Sequence, residues 1–344
     1  CPGCGIGHAI YYALHMQFTT SFQQHPLGIA AVLIILNRIK DFIAIDTLQA
    51  IQNREGIYKH AHLIKAIFNE TIQNKITGTN WQLVAVITAL LNNFTIITGG
   101  PGTGKTTTVA KILSILLTIN PSLKIALTAP TGKAAARMKE SLENAANIAP
   151  EIKIIFNQLQ PATIHRLLGV IRNSPHFKFY KENPLQYDLV IVDESSMIDV
   201  ALFAKLLSAI APGTKLILLG DKDQLASVEA GSLFGDLCQA QPALNKLNTE
   251  TSNFINSFIS TEAQHISSDN IDDTATHPLF QHIIELQQSH RFSDDKGIGK
   301  FSKSIINNNP EIIQNFFKNT DDQVTIDINY SETMFQNFVE GYKE

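Results

Sequence analysis

Residues 94–108 read FTIITGGPGTGKTTT, and no other run constrains the fold as tightly. The apolar stretch 94–98 has the character of a buried strand. Gly99, Gly100, Pro101, Gly102, Thr103 and Gly104 make a loop, and from Lys105 the spacing is helical. Strand, loop and helix in that order are the setting in which G-x-x-x-x-G-K-T holds phosphate. Glycines allow positive φ, so backbone N–H groups and the positive end of the following helix converge on one anion. In this spacing Lys105 reaches the β- and γ-phosphates, the Thr106 hydroxyl ligates Mg²⁺, and Thr107 follows on the same turn. The alternative is a chance glycine-rich turn, which leaves the complete spacing unexplained.

At 344 residues and 44% hydrophobic content the chain has room for two domains, since single cores stop growing near ~250 residues. The longest apolar run, 27–36, is about half of the ~20 residues a membrane-spanning helix needs and reads as a core helix. Three cysteines make no disulfide framework and point to the cytoplasm. Cys1 and Cys4 form a CxxC pair with only His8 and His15 nearby as further ligands, so it reads as incidental rather than a zinc site. A net charge of −4 excludes a basic coat, and any nucleic-acid contact must come from local clusters. The start at Cys1 leads to the expectation of a fragment or processed product.

Residues 1–78 carry helical patterns at 6–16 and 27–40 and are expected to form a small helical module. From residue 79 to 240, short apolar runs at 95–98, 124–128, 188–192 and 215–219 alternate with helical spacing. That alternation predicts an α/β fold, a parallel sheet with helices on both faces and ligands at the carboxyl ends of its strands. Residues 241–276, rich in Asn, Ser, Thr and Asp, are expected to be a flexible surface insertion. Apolar patterning resumes in 277–344, too short for a second complete α/β domain.

The polar segments after those strands carry the chemistry. LVIVDESSMID sets Asp193 and Glu194 directly after a buried run. Adjacent carboxylates there repel and resist desolvation unless a cation is present. With Mg²⁺, Asp193 holds the ion through its water shell and Glu194 deprotonates the water that attacks the γ-phosphate. In LILLGDKDQLASVEAG, Gln224 can donate to a γ-phosphate and accept from water. Thr131, Gly132 and Lys133 in TAPTGKAAARM, and Thr163, His165 and Arg166 in ATIHRLLG, suit nucleic-acid phosphate. They equally suit helix caps and ordinary surface cations.

Taken together, GGPGTGKTTT, TAPTGKAAARM, TIHRLLG, VIVDESSMID, LGDKDQLASVEAGSLFGDL and LQQSHRFSDDKGIG resemble the superfamily 1 DNA helicases, most closely the RecD family, the alpha subunit of exonuclease V. The resemblance spans residues 80–308 apart from the polar insertion. It implies a RecA-like P-loop NTPase domain at 79–240 and the beginning of a second RecA-like domain at 277–344. It also implies that Gln82 reads adenine and that Arg291 reaches the γ-phosphate across a cleft. The implied activity is ATP-driven 5′ to 3′ movement on single-stranded DNA, in a complex with RecB and RecC that repairs double-strand breaks. A nucleotide-binding assembly subunit that moves no strand is the alternative. Later motor motifs are absent, so the chain is expected to bind Mg-ATP but to hydrolyse it poorly and to unwind nothing alone.

Overall fold

Six strands, β1 (Phe94–Thr98), β2 (Ile125–Ala129), β3 (Ala162–Thr163), β4 (Leu189–Val192), β5 (Lys215–Gly220) and β6 (Ile283–Glu285), lie in the order β3-β2-β4-β5-β1-β6. Every neighbouring pair is parallel. This computed structural model describes residues 19, 27–72, 78–145, 148–174, 176–224, 233–241, 243–288, 297–306, 308–318 and 323–324. Side chains alternate across the sheet as strand geometry requires. Ile97, Leu127, Ile191, Ile217 and Ile284 enter one core, while Ile96, Ala126, Val190, Leu218 and Ile283 enter the other. With both faces covered, the strands read as continuous apolar runs.

The first core is roofed by α2 (Ala61–Ile72), α3 (Trp81–Leu91), α4 (Lys105–Ile119), α5 (Gly132–Glu143) and α6 (Pro150–Gln158). The second is covered by α1 (Leu27–Lys59), α7 (Ile164–Leu168), α8 (Val200–Ala209) and α9 (Leu233–Gln239). Side-chain caps mark several starts: Asn80 accepts from the Leu83 N–H at 3.1 Å and Asp199 from Leu202 at 2.9 Å. The described N-terminal helices share these cores. Ile35, Ile39 and Phe42 of α1 sit in the same cluster as Phe94, and Arg38 donates to the Leu207 and Ile210 carbonyls at the end of α8. The expected helix at 6–16 and the Cys1/Cys4 pair lie outside the described residues.

Residues 241–276 differ from the expected flexible insertion. They include α10 (Thr249–Asn256) and two short 3-10 turns, and Leu247, Ile255, Phe258, Ile259 and Ile266 are buried in the first core. Their polar residues supply backbone partners. The Asn245 amide donates to the Glu285 carbonyl at 3.0 Å and accepts from the Glu285 N–H at 2.7 Å, standing in for a strand at the edge of β6. Gln241 donates to the Leu279 carbonyl at 2.6 Å, and Asn256 accepts from the Ile266 N–H at 2.9 Å.

The expected boundary at 277 also moves, because β6 pairs with β1 and the first compact unit runs to Gln287. The second unit, Gln288–Glu344, holds α11 (Gly297–Ile306) and α12 (Pro310–Lys318). Phe301 and Phe316 meet edge to face between those helices at 5.1 Å.

Candidate nucleotide-binding site

The loop between β1 and α4 is closed by its own hydrogen bonds. The Thr103 hydroxyl donates to the Gly100 carbonyl at 2.9 Å, and the Gly99 N–H continues the ladder to the Gly220 carbonyl at 3.2 Å. Gly104 caps α4 at φ 88°, a conformation that suits glycine. A Cβ at Gly99 would stand 2.7 Å from the Thr103 hydroxyl and 3.0 Å from the Leu286 carbonyl, so the position admits only glycine without rearrangement.

Lys105 turns back into this loop. Its ammonium donates to the Gly99 carbonyl and, at 3.1 Å, to the Gly100 carbonyl. Burial lowers its pKa, while Asp221, Glu194 and Asp193 act in the opposite sense. The site therefore gathers three carboxylates from the ends of β4 and β5 around the loop lysine. Asp221 was missed in the sequence although it follows a buried strand, as Asp193 does.

Asp193 is anchored by its own N–H to the Thr128 carbonyl at 2.9 Å, and its carboxylate accepts from the Glu194 N–H at 2.8 Å. Burial raises the Asp193 pKa, and the Glu194 charge adds to that rise. Glu194 occupies the left-handed region at φ 51°, which costs a non-glycine residue on the order of 1 kcal/mol and is tolerated where geometry matters. The following turn carries Ser196, whose hydroxyl donates to Gln224 Oε1 at 2.8 Å. Thus the acidic pair on β4 and the glutamine turn on β5 are joined by one side-chain hydrogen bond.

Gln82 on α3 donates through Nε2 to the Thr103 carbonyl at 3.2 Å, which places it against the loop. Its Oε1 accepts from Lys111 on α4, also at 3.2 Å, and the same ammonium lies 4.2 Å from the Phe68 ring centroid. Lys111 is 5% exposed, and burial pulls its pKa from 10.5 to about 8. An unfolded lysine still holds its proton in that interval, so unfolding takes one up and stability rises with pH from about 8 to 10.5. Below that window the burial penalty is fully present. Lys111→Met is expected to raise stability by on the order of 1–3 kcal/mol at pH 7. The gain should vanish by pH 10.5 in paired urea titrations.

The two segments singled out for nucleic acid lie at adjacent strand ends, Ala129 pairing in register with Thr163. Thr131 caps α5 by accepting from the Ala134 N–H at 3.2 Å, and Thr163 caps α7 by accepting from Arg166 at 3.3 Å. Gly132, Lys133 and His165 are exposed, and the His165 ring meets Phe177 edge to face at 5.8 Å. Pro101 and Thr107 are exposed on the loop and first helical turn, Gly100, Gly102 and Thr106 half-buried. Arg291 lies outside the described residues. No described helix is long and apolar enough to cross a membrane.

Fold and site together define a RecA-like P-loop nucleotide-binding domain. A family model described as an AAA domain matches residues 82–230, and one described as a protein of unknown function (DUF2752) matches residues 1–39. The RecBCD enzyme subunit RecD of Haemophilus influenzae is 42% identical over 234 residues, covering 66% of this chain and 35% of that protein. The RecD subunit of Buchnera aphidicola subsp. Acyrthosiphon pisum is 36% identical over 251 residues, covering 70% and 40%. The crystal structure of Bacteroides Pif1 bound to ssDNA aligns with a TM-score of 0.38 at 18% identity, covering 78% of this chain and 57% of that one. Over most of its own length the chain is similar to these RecD subunits. It spans 35% and 40% of the length of the two curated relatives described.

Proposed function

We propose that the chain holds the first motor domain of an ATP-driven DNA translocase, a 5′ to 3′ helicase subunit that works with RecB- and RecC-type partners in the cytoplasm. The observation that supports this most is the gathering of Asp193, Glu194 and Asp221 around Lys105, in a chain 42% identical over 234 residues to a RecD subunit. Lys105 holds the β- and γ-phosphates, leaving the loop carbonyls for them. Glu194 takes a proton from the attacking water, and its left-handed backbone fixes where that carboxylate stands. Gln224 reports on the γ-phosphate to Ser196 and so to the acidic turn. Gln82 reads the base.

Asp193 and Thr106 fit a divalent ion. A half-buried carboxylate whose pKa is raised by desolvation, beside a second carboxylate, is relieved by a cation. Among the described residues no group of three or more His, Cys, Asp or Glu is arranged to hold a metal alone, so Mg²⁺ is shared with phosphate and water, as is usual for it. When bound it neutralises charge on the phosphates.

Single-stranded DNA takes Lys133, His165 and the helix starts at exposed Thr131 and half-buried Thr163 as its phosphate contacts. In the full-length protein, assembled with its partner subunits, single-stranded DNA is expected to stimulate ATP hydrolysis at least tenfold. Steady-state phosphate release checks this. Hydrolysis indifferent to DNA would favour an assembly subunit whose nucleotide state controls partner contacts.

A further inference from the structure

Between α7 and β4 the chain makes an excursion that the hydrolysis outlined above leaves without a task. It is built rather than loose. The Lys178 and Phe179 N–H groups donate to the Gly169 and Leu168 carbonyls at 2.8 and 3.0 Å, and Tyr180 and Asn183 exchange both backbone bonds at 3.0 Å. The Asn183 amide closes onto the Lys178 carbonyl at 2.8 Å. Gly169 sits at φ 75°, and a Cβ there would stand 2.8 Å from the Lys178 Cβ. Yet three large apolar side chains on this frame remain in water: Val170 is 63% exposed, Ile171 43% and Tyr180 48%. Apolar groups clustered in water on a fixed frame mark an interaction site.

Ile171, Phe177, Phe179 and Tyr180, together with Ala204 and Lys205 of α8, line a cavity of about 500 Å³ that opens to solvent. None of its described lining residues is a carboxylate. The Lys205 ammonium lies 5.2 Å from the Phe177 ring centroid, and that of Lys178 lies 5.4 Å from the Phe179 centroid. The surrounding run 165–181 holds Arg166, Arg172, Lys178, Lys181 and two histidines with no Asp or Glu, in a chain whose net charge is −4. Apolar walls under a rim of cations complement an apolar group carried on an acidic chain.

We propose that this cavity docks an acidic peptide segment of a partner protein, one apolar side chain entering between the excursion and α8 while neighbouring carboxylates meet Lys205 and the cations of 165–181. Position separates it from the phosphate contacts assigned to single-stranded DNA above. Those lie at strand carboxyl ends, whereas α8 leads away from them: Ser208, at the cavity, is ~13 Å along the helix from its cap at Asp199, at ~1.5 Å per residue. Chemistry separates it too. A nucleobase would carry its polar edges into largely apolar walls at a desolvation cost, which a leucine or phenylalanine side chain avoids. One such anchor within a charged rim makes a weak, transient interface, with charge raising the rate of encounter. Docking of this kind needs neither nucleotide nor DNA.

Fluorescence anisotropy on the 344-residue chain, with a labelled peptide of four aspartates followed by leucine and phenylalanine as the probe, tests this. A Kd on the order of 10–100 μM is expected. Replacing the leucine and phenylalanine by serines, or the aspartates by lysines, should weaken binding at least ~tenfold. On the protein, Lys205→Glu and Ile171→Asp should each do the same. Both positions are exposed, so melting temperatures should stay near that of the wild type. Lys153→Glu, the same charge change on the exposed surface of α6, should leave the affinity within about twofold. No binding below about 1 mM, or binding indifferent to both cavity variants, would overturn the proposal. A labelled oligothymidylate bound as tightly as the peptide, and released by the same two variants, would overturn it in favour of nucleic acid. Self-association in sedimentation that Ile171→Asp abolishes would overturn it in favour of a second copy of the chain.

Discussion

Glu194→Gln is expected to leave Mg-ATP affinity within about threefold of wild type while hydrolysis falls about 100- to 10,000-fold, the usual contribution of a positioned general base. The substitution preserves size and hydrogen-bonding shape, and glutamine meets the same backbone at φ 51° that glutamate does. It removes only the carboxylate proposed to accept the proton. Lys105→Ala should behave oppositely. Lys105 is the cation among Asp221, Glu194 and Asp193, so its loss deletes the charge-assisted contacts proposed to phosphate and leaves three carboxylates at the proposed triphosphate site. Affinity is expected to fall at least ~100-fold, consistent with two such contacts at about 1.5–3 kcal/mol each. Fluorescent-nucleotide titration and single-turnover hydrolysis, run on both variants of the full-length protein, separate the two roles. Equal loss of binding in both would mean that Glu194 supports the site rather than acting on water.

Much of this site was legible because its residues obey fixed spacings. Lys105 and Thr106 follow from the loop, and Asp193, Glu194 and Gln224 follow from their places after buried strands. Lys111 was not legible. One lysine in the apolar run VAKILSILL reads as a surface cation, and only the packing of α2 and α3 over α4 reveals that the charge is enclosed. The fold divides along similar lines. β1, β2, β4 and β5 are runs of four to six residues buried on both faces, and such runs are visible as apolar blocks. β3 and β6, with two and three residues, are too short to show a period. Their strand character comes from pairing with β2 and β1. Helix caps show the same ambiguity, since Thr131 and Thr163 have side chains engaged at helix starts while their neighbours remain exposed.

Phe258→Ala is expected to destabilise the chain by about 3–5 kcal/mol, as for other buried phenylalanines. Phe258 falls in the segment whose composition suggests a loose insertion, yet it is 2% exposed. Its ring meets Phe254 at 5.2 Å and Tyr58 of α1 at 6.2 Å, both near edge-on. Arg54 of α1 stacks over Phe254 and pairs with Glu250, so α10 is fastened to α1 by rings and by charge. Truncation would empty a slot bounded by two elements that have little freedom to collapse. Against a total stability typically near 5–15 kcal/mol, such a loss brings the domain close to unfolding. Urea titration should show a lower midpoint with an unchanged slope. Glu262→Ala, exposed in the same segment, should shift stability by less than ~0.5 kcal/mol. A similarly small effect for Phe258→Ala would mean that residues 241–276 lie on the domain without being part of it. The two-sided hydrogen bonding of Asn245 to Glu285 argues otherwise, because it ties that segment to the strand beside β1, and β1 carries the phosphate loop.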